Sequence, residues 1–216
     1  MIGNIRLKVC GLRSLVDAEF AHHLGADYVA FNLYPKSPRF FALEQYRTMA
    51  SSLPKGKRVA VMVSPTEGEL TDAMAAGFDY FQIHFPLETS LAKVADWSRM
   101  VGPDRLWLAP KLPPEVDIAA EFLPLASFFL LDTFQATGGF GGSGKTGDWP
   151  KFARHQKSHP EKSWILSGGL NPENITEALR QSGARFVDVN SGVESKPGVK
   201  DHAKLKAFVA ALAQVK

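Results

Sequence analysis

The chain has 216 residues, with 25 basic and 22 acidic side chains and a formal net charge of +3. This length is typical of one domain with a sizeable core, and a charge this small and scattered argues against nucleic-acid binding. The single cysteine excludes an intrachain disulfide and fits a reducing compartment. With no signal-peptide pattern and no apolar run long enough to span a bilayer, the sequence predicts a cytoplasmic protein that does not bind membranes.

Strand-like and helix-like segments alternate along the chain. The predicted strands cover residues 5–10, 28–33, 58–63, 80–84, 105–109, 127–131, 163–166 and 186–189. The predicted helices cover residues 14–24, 43–53, 67–76, 87–100, 149–157, 171–181 and 202–214, and Ser14, Thr66 and Asp148 are expected to cap three of them. The helix expected after the fifth strand is the least defined, because four prolines surround it: Pro110, Pro113, Pro114 and Pro124.

These segments make eight strand–helix units. At three of the helix-to-strand joints a glycine ends the helix and an aromatic residue opens the next strand: Gly25 with Tyr28, Gly77 with Tyr80, and Gly183 with Phe186. Alternating strands and helices imply a parallel sheet with right-handed crossovers. Eight such units predict an α/β fold, a closed (β/α)₈ TIM barrel in which residues 1–216 form a single catalytic domain.

In a barrel of this kind the chemistry lies at the carboxyl ends of the strands. The residues at those ends are Cys10, Tyr34 with the loop 35–39, Ser64, His84, Pro110, Asp132, Gly168, Gly169, Asn190, Ser191 and Gly192. Cys10 and Asp132 follow strands on roughly opposite sides of the ring, so they are placed to flank a substrate. Non-catalytic interpretations of four of these residues stay open: a buried apolar thiol for Cys10, a loop cap for Asp132, a structural His84 and a surface charge for Arg39.

Two glycine-rich stretches close the last two strands. Gly168-Gly169 follows the seventh and Ser191-Gly192 the eighth, the two positions at which phosphate-binding barrels present backbone N–H groups to an anion. Together they predict a small phosphorylated ligand.

A third glycine-rich stretch, GFGGSGKT at residues 139–146, matches the P-loop pattern in full. Its context is wrong, because six residues, 133–138, separate its first glycine from Asp132 at the end of the preceding strand, and the next helix begins only after Gly147 and Asp148. A nucleoside-triphosphate-binding protein is therefore a rival hypothesis, and a glycine-rich lid beside Asp132 is the simpler interpretation.

Several of these motifs, taken in order, resemble the phosphoribosylanthranilate isomerase family of tryptophan biosynthesis. They are KVCGL at 8–12, YPKSPR at 34–39, FQIH at 81–84, LDT at 131–133, GGSGKT at 141–146, DW at 148–149, SGGLNPEN at 167–174 and VDVNSGVE at 187–194. The chain departs from the family pattern at three positions, Asn32, Phe85 and Asn190. Phe85 is expected to narrow the pocket beside His84.

The resemblance implies conversion of N-(5-phosphoribosyl)anthranilate to 1-(2-carboxyphenylamino)-1-deoxyribulose 5-phosphate, an Amadori rearrangement. It implies Cys10 as general base and Asp132 as general acid, and it requires no metal and no cofactor. The substrate-binding residues it implies are Arg39 for the anthranilate carboxylate, His84, Asp188, and Gly168, Gly169, Ser191 and Gly192 for the phosphate.

Lys8 shares a strand face with Cys10 and is expected to favour the thiolate. Two rival functions remain open: a relaxed isomerase that also accepts a histidine-pathway aminoaldose, and a non-catalytic protein that binds phosphorylated ligands. The sequence is compatible with either a monomer or a homodimer.

Overall fold

Eight parallel strands close into a barrel in which each strand pairs with the next and β8 pairs with β1. The computed structural model describes residues 1–133 and 147–215. The strands are β1 Arg6–Val9, β2 Tyr28–Asn32, β3 Arg58–Val63, β4 Tyr80–Pro86, β5 Leu106–Lys111, β6 Phe128–Leu131, β7 Ser163–Leu166 and β8 Phe186–Val189. The predicted barrel and its strand order are confirmed, and the strand ends differ from the prediction by at most two residues.

Seven α-helices surround the barrel in the described ranges. They are α1 Leu15–His23, α2 Leu43–Met49, α3 Glu67–Ala75, α4 Leu91–Val101, α5 Trp149–Ser158, α6 Ile175–Ser182 and α7 His202–Ala213. The side chains of Ser14, Thr66 and Asp148 cap α1, α3 and α5 as predicted. The predicted start of α4 at residue 87 was wrong, because β4 continues to Pro86 and Ser90 caps the helix. The predicted start of α6 at residue 171 was also four residues early, because the helix begins at Ile175, after Asn174.

The fifth connection has no α-helix. A 3₁₀ turn, Ala120–Leu125, takes its place and contains Pro124, whose missing N–H disfavours a longer helix. Two buried side chains of α5 hold this connection: Lys151 Nζ donates to the carbonyl oxygens of Pro113 and Val116 at 2.6 Å, and His155 Nε2 accepts from the Ile118 amide at 3.2 Å.

Aromatic side chains fill the amino-terminal end of the barrel. Tyr28, Tyr80, Phe128 and Phe186 open the four even-numbered strands, and their rings pack around the buried ring of Trp107. Such a layer of side chains from alternate strands is the usual barrel core. Because this end is filled, a ligand cavity can form only towards the carboxyl ends of the strands.

A short antiparallel pair, β9 Glu194–Lys196 and β10 Val199–Lys200, follows β8 and was not predicted. It precedes α7 and returns two charged side chains, Glu194 and Lys200, to the carboxyl end of the barrel. Of the helices in the described ranges, none has the length and apolar character of a membrane span.

Candidate active site

A cavity of about 380 Å³ lies at the carboxyl ends of the strands. Among the residues that line it are Cys10, Arg39, His84, Asp132, Gly168, Gly169, Asp188 and Ser191. These are eight of the nine residues that the sequence predicts as catalytic or substrate-binding. The ninth, Gly192, lies in the 3₁₀ turn Ser191–Val193 next to the cavity wall.

Cys10 follows β1, and its side chain is buried, with 4% exposed. Burial raises the pKa of the Cys10 thiol, while the neighbouring ammonium groups of Lys8 and Lys200 act in the opposite direction. Burial prevails, so the pKa lies above its ordinary value. The positive charge expected from Lys8 is therefore present but does not by itself produce a thiolate.

The partner that fixes Lys8 is Asp188. Lys8 Nζ, which is fully buried, donates to Asp188 Oδ1 at 2.9 Å, and Ser167 Oγ donates to Asp188 Oδ2 at 3.3 Å. Lys8 and Asp188 lie opposite each other on the paired strands β1 and β8. Asp188 lines the cavity, and the charge of Lys8 also acts on Cys10, where it opposes the effect of burial on the pKa of the thiol.

Asp132 follows β6 and is half-buried at the cavity wall. Burial raises the pKa of the Asp132 carboxyl group to about 6, with a contribution from the negative charge of Asp188 and against a hydrogen bond from the Thr133 amide, which donates to Oδ1 at 2.7 Å. A carboxyl group with this pKa is partly protonated near neutral pH, as a general acid requires.

In His84, burial shifts the pKa in the opposite direction from that of Asp132. Burial, helped by the charge of Lys8, lowers the pKa of His84 to about 3, so the ring is neutral at physiological pH. Its Nε2 lies 2.7 Å from the side-chain amide nitrogen of Gln82, two residues earlier on the same inward face of β4. A neutral imidazole offers hydrogen bonding to a substrate rather than charge.

Phe85 does not narrow the cavity, contrary to the expectation from the sequence. Because side chains alternate along β4, His84 faces the cavity while Phe85 is fully buried in the outer layer, against Trp97 and Phe122.

The turn after β7 presents backbone rather than side chains to the cavity. Gly168 and Gly169 have φ values of +94° and +63°, which side-chain-bearing residues rarely adopt. Their N–H groups have no acceptor in the described part of the protein. The turn thus supplies uncommitted donors for an anion.

Arg39 comes from the loop after β2, and its guanidinium is paired with Glu194 of β9 in a two-pronged contact. The sequence reasoning did not select Glu194 as a site residue and missed Lys200 altogether. It also missed Asn32 and Gln82, although polar residues on the inward face of otherwise apolar strands were a signal that could have found them.

Two strand-end residues named from the sequence, Ser64 and Pro110, do not line this cavity; Pro110 borders a second, smaller one. The P-loop-like stretch 139–146 and the proposed lid fall outside the described residues. Within the described ranges, no three His, Cys, Asp or Glu side chains are grouped to hold a metal ion.

The fold and this cavity define a (β/α)₈ barrel protein with a carboxyl group, a thiol and backbone N–H groups facing one cavity at the carboxyl ends of its strands. A family model described as N-(5'phosphoribosyl)anthranilate (PRA) isomerase matches residues 7–211. The N-(5'-phosphoribosyl)anthranilate isomerase of Ruegeria sp. (strain TM1040) is 35% identical over 214 residues, covering 97% of this chain and 98% of that protein. The chain belongs to the N-(5'-phosphoribosyl)anthranilate isomerase family and is an isomerase of tryptophan biosynthesis.

Solved structures agree with this assignment. The phosphoribosyl anthranilate isomerase of Thermus thermophilus superposes with a TM-score of 0.80 at 31% identity, covering 98% of this chain and 100% of that one. Another phosphoribosyl anthranilate isomerase, solved in complex with reduced 1-(o-carboxyphenylamino)-1-deoxyribulose 5-phosphate, superposes with a TM-score of 0.73 at 32% identity, covering 96% and 98% of the two chains.

Proposed function

We propose that this chain, as one catalytic domain, converts N-(5-phosphoribosyl)anthranilate to 1-(2-carboxyphenylamino)-1-deoxyribulose 5-phosphate, with Asp132 as general acid and Cys10 as general base. The observation that carries the proposal is the arrangement of one cavity: a carboxyl group with a raised pKa and a thiol both line it, beside two glycines with uncommitted N–H groups. The family assignment supports the reaction, and the geometry supports the roles.

The acid step is the opening of the ribose ring. The Asp132 carboxyl group donates its proton to the ring oxygen, the C1–O bond breaks, and the aniline nitrogen lone pair forms a protonated Schiff base with C1. With a pKa of about 6, Asp132 is protonated in roughly a tenth of molecules at pH 7. A dianionic phosphate in the same cavity raises that fraction, because like charge disfavours ionisation.

The base step is removal of the proton on C2. The Cys10 thiolate accepts this proton, and the electrons of the C–H bond form the enolamine, which tautomerises to the C2 ketone. The iminium created by the first step brings positive charge next to Cys10, and that charge favours the thiolate against the burial that raises its pKa. One turnover moves a proton from Asp132 to Cys10, and exchange with solvent restores the pair without net consumption of protons.

The remaining residues bind the substrate. The N–H groups of Gly168 and Gly169, together with the turn at Ser191 and Gly192, hold the phosphate, and Arg39 takes the anthranilate carboxylate. Neutral His84 and Asp188 contact the sugar and the amine. Lys8 holds Asp188 in place through their 2.9 Å ion pair.

The test follows the loss of fluorescence as the purified protein converts freshly made phosphoribosylanthranilate. Cys10→Ala and Asp132→Asn should each lower kcat by on the order of 10²–10⁴ while the variants remain folded. Asp104→Asn is a matched carboxylate control, because Asp104 precedes β5 at the opposite end of the barrel, where it accepts a hydrogen bond from Ser127. A folded Cys10→Ala or Asp132→Asn variant with wild-type kcat would refute the assigned roles.

A further inference from the structure

A buried charge cluster joins Arg39, Glu194 and Lys200 beside the cavity. Each of the three side chains is no more than 9% exposed. Arg39 donates from Nε to Glu194 Oε1 at 2.9 Å and from Nη2 to Glu194 Oε2 at 2.8 Å. Lys200 Nζ donates to the same Oε1 at 3.0 Å, so one carboxylate faces two cations.

The hydrogen-bond donors of Lys200 are all used. Its Nζ also donates to the side-chain oxygen of Asn190 at 2.9 Å and to the Asn190 carbonyl oxygen at 3.2 Å. Arg39 differs, because Glu194 occupies only the Nε–Nη2 edge of the guanidinium. Nη1 has no acceptor among residues 1–133 and 147–215, and Arg39 lines the cavity. The cluster therefore holds unused donors on a single residue.

The charges of the cluster do not balance. Burial would raise the pKa of Glu194, but the hydrogen bonds from Arg39 and the charge of Lys200 hold it below its ordinary value, so Glu194 is ionised. Burial lowers the pKa of Lys200 while the charge of Glu194 acts against it; with Lys200 as an ammonium group, two cations and one carboxylate leave one net positive charge beside the cavity. Buried charge without a counterion is unfavourable, and an Arg–Glu pair alone would be neutral. The third member, Lys200, thus makes the cluster attractive to one anion.

The position of the cluster is fixed from the other side by Gly11, which follows Cys10. A Cβ atom on Gly11 would lie 2.8 Å from Arg39 Cδ and 2.6 Å from Asn190 Oδ1. The turn that carries the thiol is therefore packed directly against the arginine, and movement of the guanidinium is restricted.

Building on the proposed function, we infer that Glu194 and Lys200 are positioning residues that hold the free edge of the Arg39 guanidinium towards the aryl carboxylate of the substrate. This arrangement favours substrates whose aryl amine carries an ortho-carboxylate over substrates whose aryl amine lacks a carboxylate. The β9–β10 hairpin supplies both positioning residues, which gives this small extra sheet a role in specificity.

The test compares two competitive inhibitors: the reduced product, and the same compound without its aryl carboxylate. We expect the wild-type protein to prefer the carboxylate form by on the order of 10²-fold, since charged bidentate hydrogen bonds are strong. Glu194→Gln should reduce this ratio to roughly tenfold or less, and should raise KM for phosphoribosylanthranilate far more than it changes kcat. Combining Arg39→Met with Glu194→Gln should lower the ratio no further than Arg39→Met alone, because Glu194 acts through Arg39.

The matched control is Asp79→Asn, which removes a carboxylate paired with Arg58 by the same two-pronged contact but located before β4, at the amino-terminal end of the barrel. It should leave the inhibitor ratio unchanged. If Glu194→Gln does not fold, Glu194→Asp takes its place in the test. This variant keeps the charge but shortens the side chain, so it should also reduce the inhibitor ratio.

Three outcomes separate the hypotheses. A folded Glu194 variant with the wild-type ratio, or a double variant that is additive, overturns the inference. Wild-type turnover with no preference for the carboxylate also overturns it while leaving the isomerase activity intact. A wild-type protein that prefers the carboxylate inhibitor but does not turn over phosphoribosylanthranilate supports the positioning role and refutes the proposed reaction.

Discussion

Replacing Asp132 by Asn should make the folded protein more stable at neutral pH while it removes the proposed general acid. Burial raises the pKa of Asp132 from 3.8 to about 6, so the fold holds this carboxylate less favourably than water does. A shift of about two pKa units corresponds to roughly 3 kcal/mol as an upper limit. Because Asp132 is only half-buried, we expect a gain of about 1–2 kcal/mol. The Asn side chain keeps an oxygen that can accept the Thr133 amide.

The gain should depend on pH in a defined direction. Below about pH 4 the carboxyl group of Asp132 is protonated in the folded and the unfolded chain, so wild type and Asp132→Asn differ little. As the pH rises from 4 to 6 the unfolded chain releases this proton first, and the wild-type protein loses stability that the variant keeps. The difference should be constant above about pH 7.

The assay is urea unfolding of both proteins at pH values from 4 to 8. Asp79→Asn provides a contrast of opposite sign: burial would raise the pKa of Asp79, but the hydrogen bonds from Arg58 hold it below its ordinary value. That variant should be less stable than wild type at neutral pH. An Asp132→Asn protein that is destabilised at pH 8, or whose advantage does not grow between pH 4 and 6, would refute the reasoning.

Three further predictions concern residues in or next to the cavity. Lys8→Met should lower the free energy of unfolding, measured with urea, by about 3–5 kcal/mol, because it leaves the buried carboxylate of Asp188 without its partner. Adding Asp188→Asn should recover most of this loss, and a double variant no more stable than Lys8→Met would contradict the prediction. Gly192→Ala should raise KM by on the order of 10²-fold, because a Cβ there would overlap the carbonyl oxygen of Leu170 and displace the turn. An unchanged KM would show that this turn does not fit closely around the phosphate of the substrate. The His84 ring should show no titration by NMR between pH 5 and 8, since its pKa is about 3; a midpoint near its ordinary value of 6.5 would show that the ring is solvated.

The local chemistry of the sequence was sufficient for the barrel and for much of the site. Capping by Ser14, Thr66 and Asp148 depends on residues three or fewer positions apart, so it can be predicted without tertiary contacts. The positions of Cys10 and Asp132 follow from a simple rule, because the carboxyl end of every parallel strand opens on the same side of a barrel.

The interactions between distant residues could not be obtained in this way. Lys8 and Asp188 are 180 positions apart, and Arg39 and Glu194 are 155 apart, so closure of the barrel alone brings each pair together. The missing helix of the fifth connection is a similar case, since prolines weakened the prediction but buried contacts from α5 determined the path that the chain takes instead.

The sequence by itself determined the order of the elements, the end of the barrel that carries the chemistry and the residue types available there, because these depend on short-range pattern. The tertiary structure decided the ionisation of those residues. The pKa of Cys10 is raised although Lys8 is adjacent, because burial outweighs the neighbouring charge. Burial and the summed charges around a group arise from the whole fold, and no short stretch of sequence contains them.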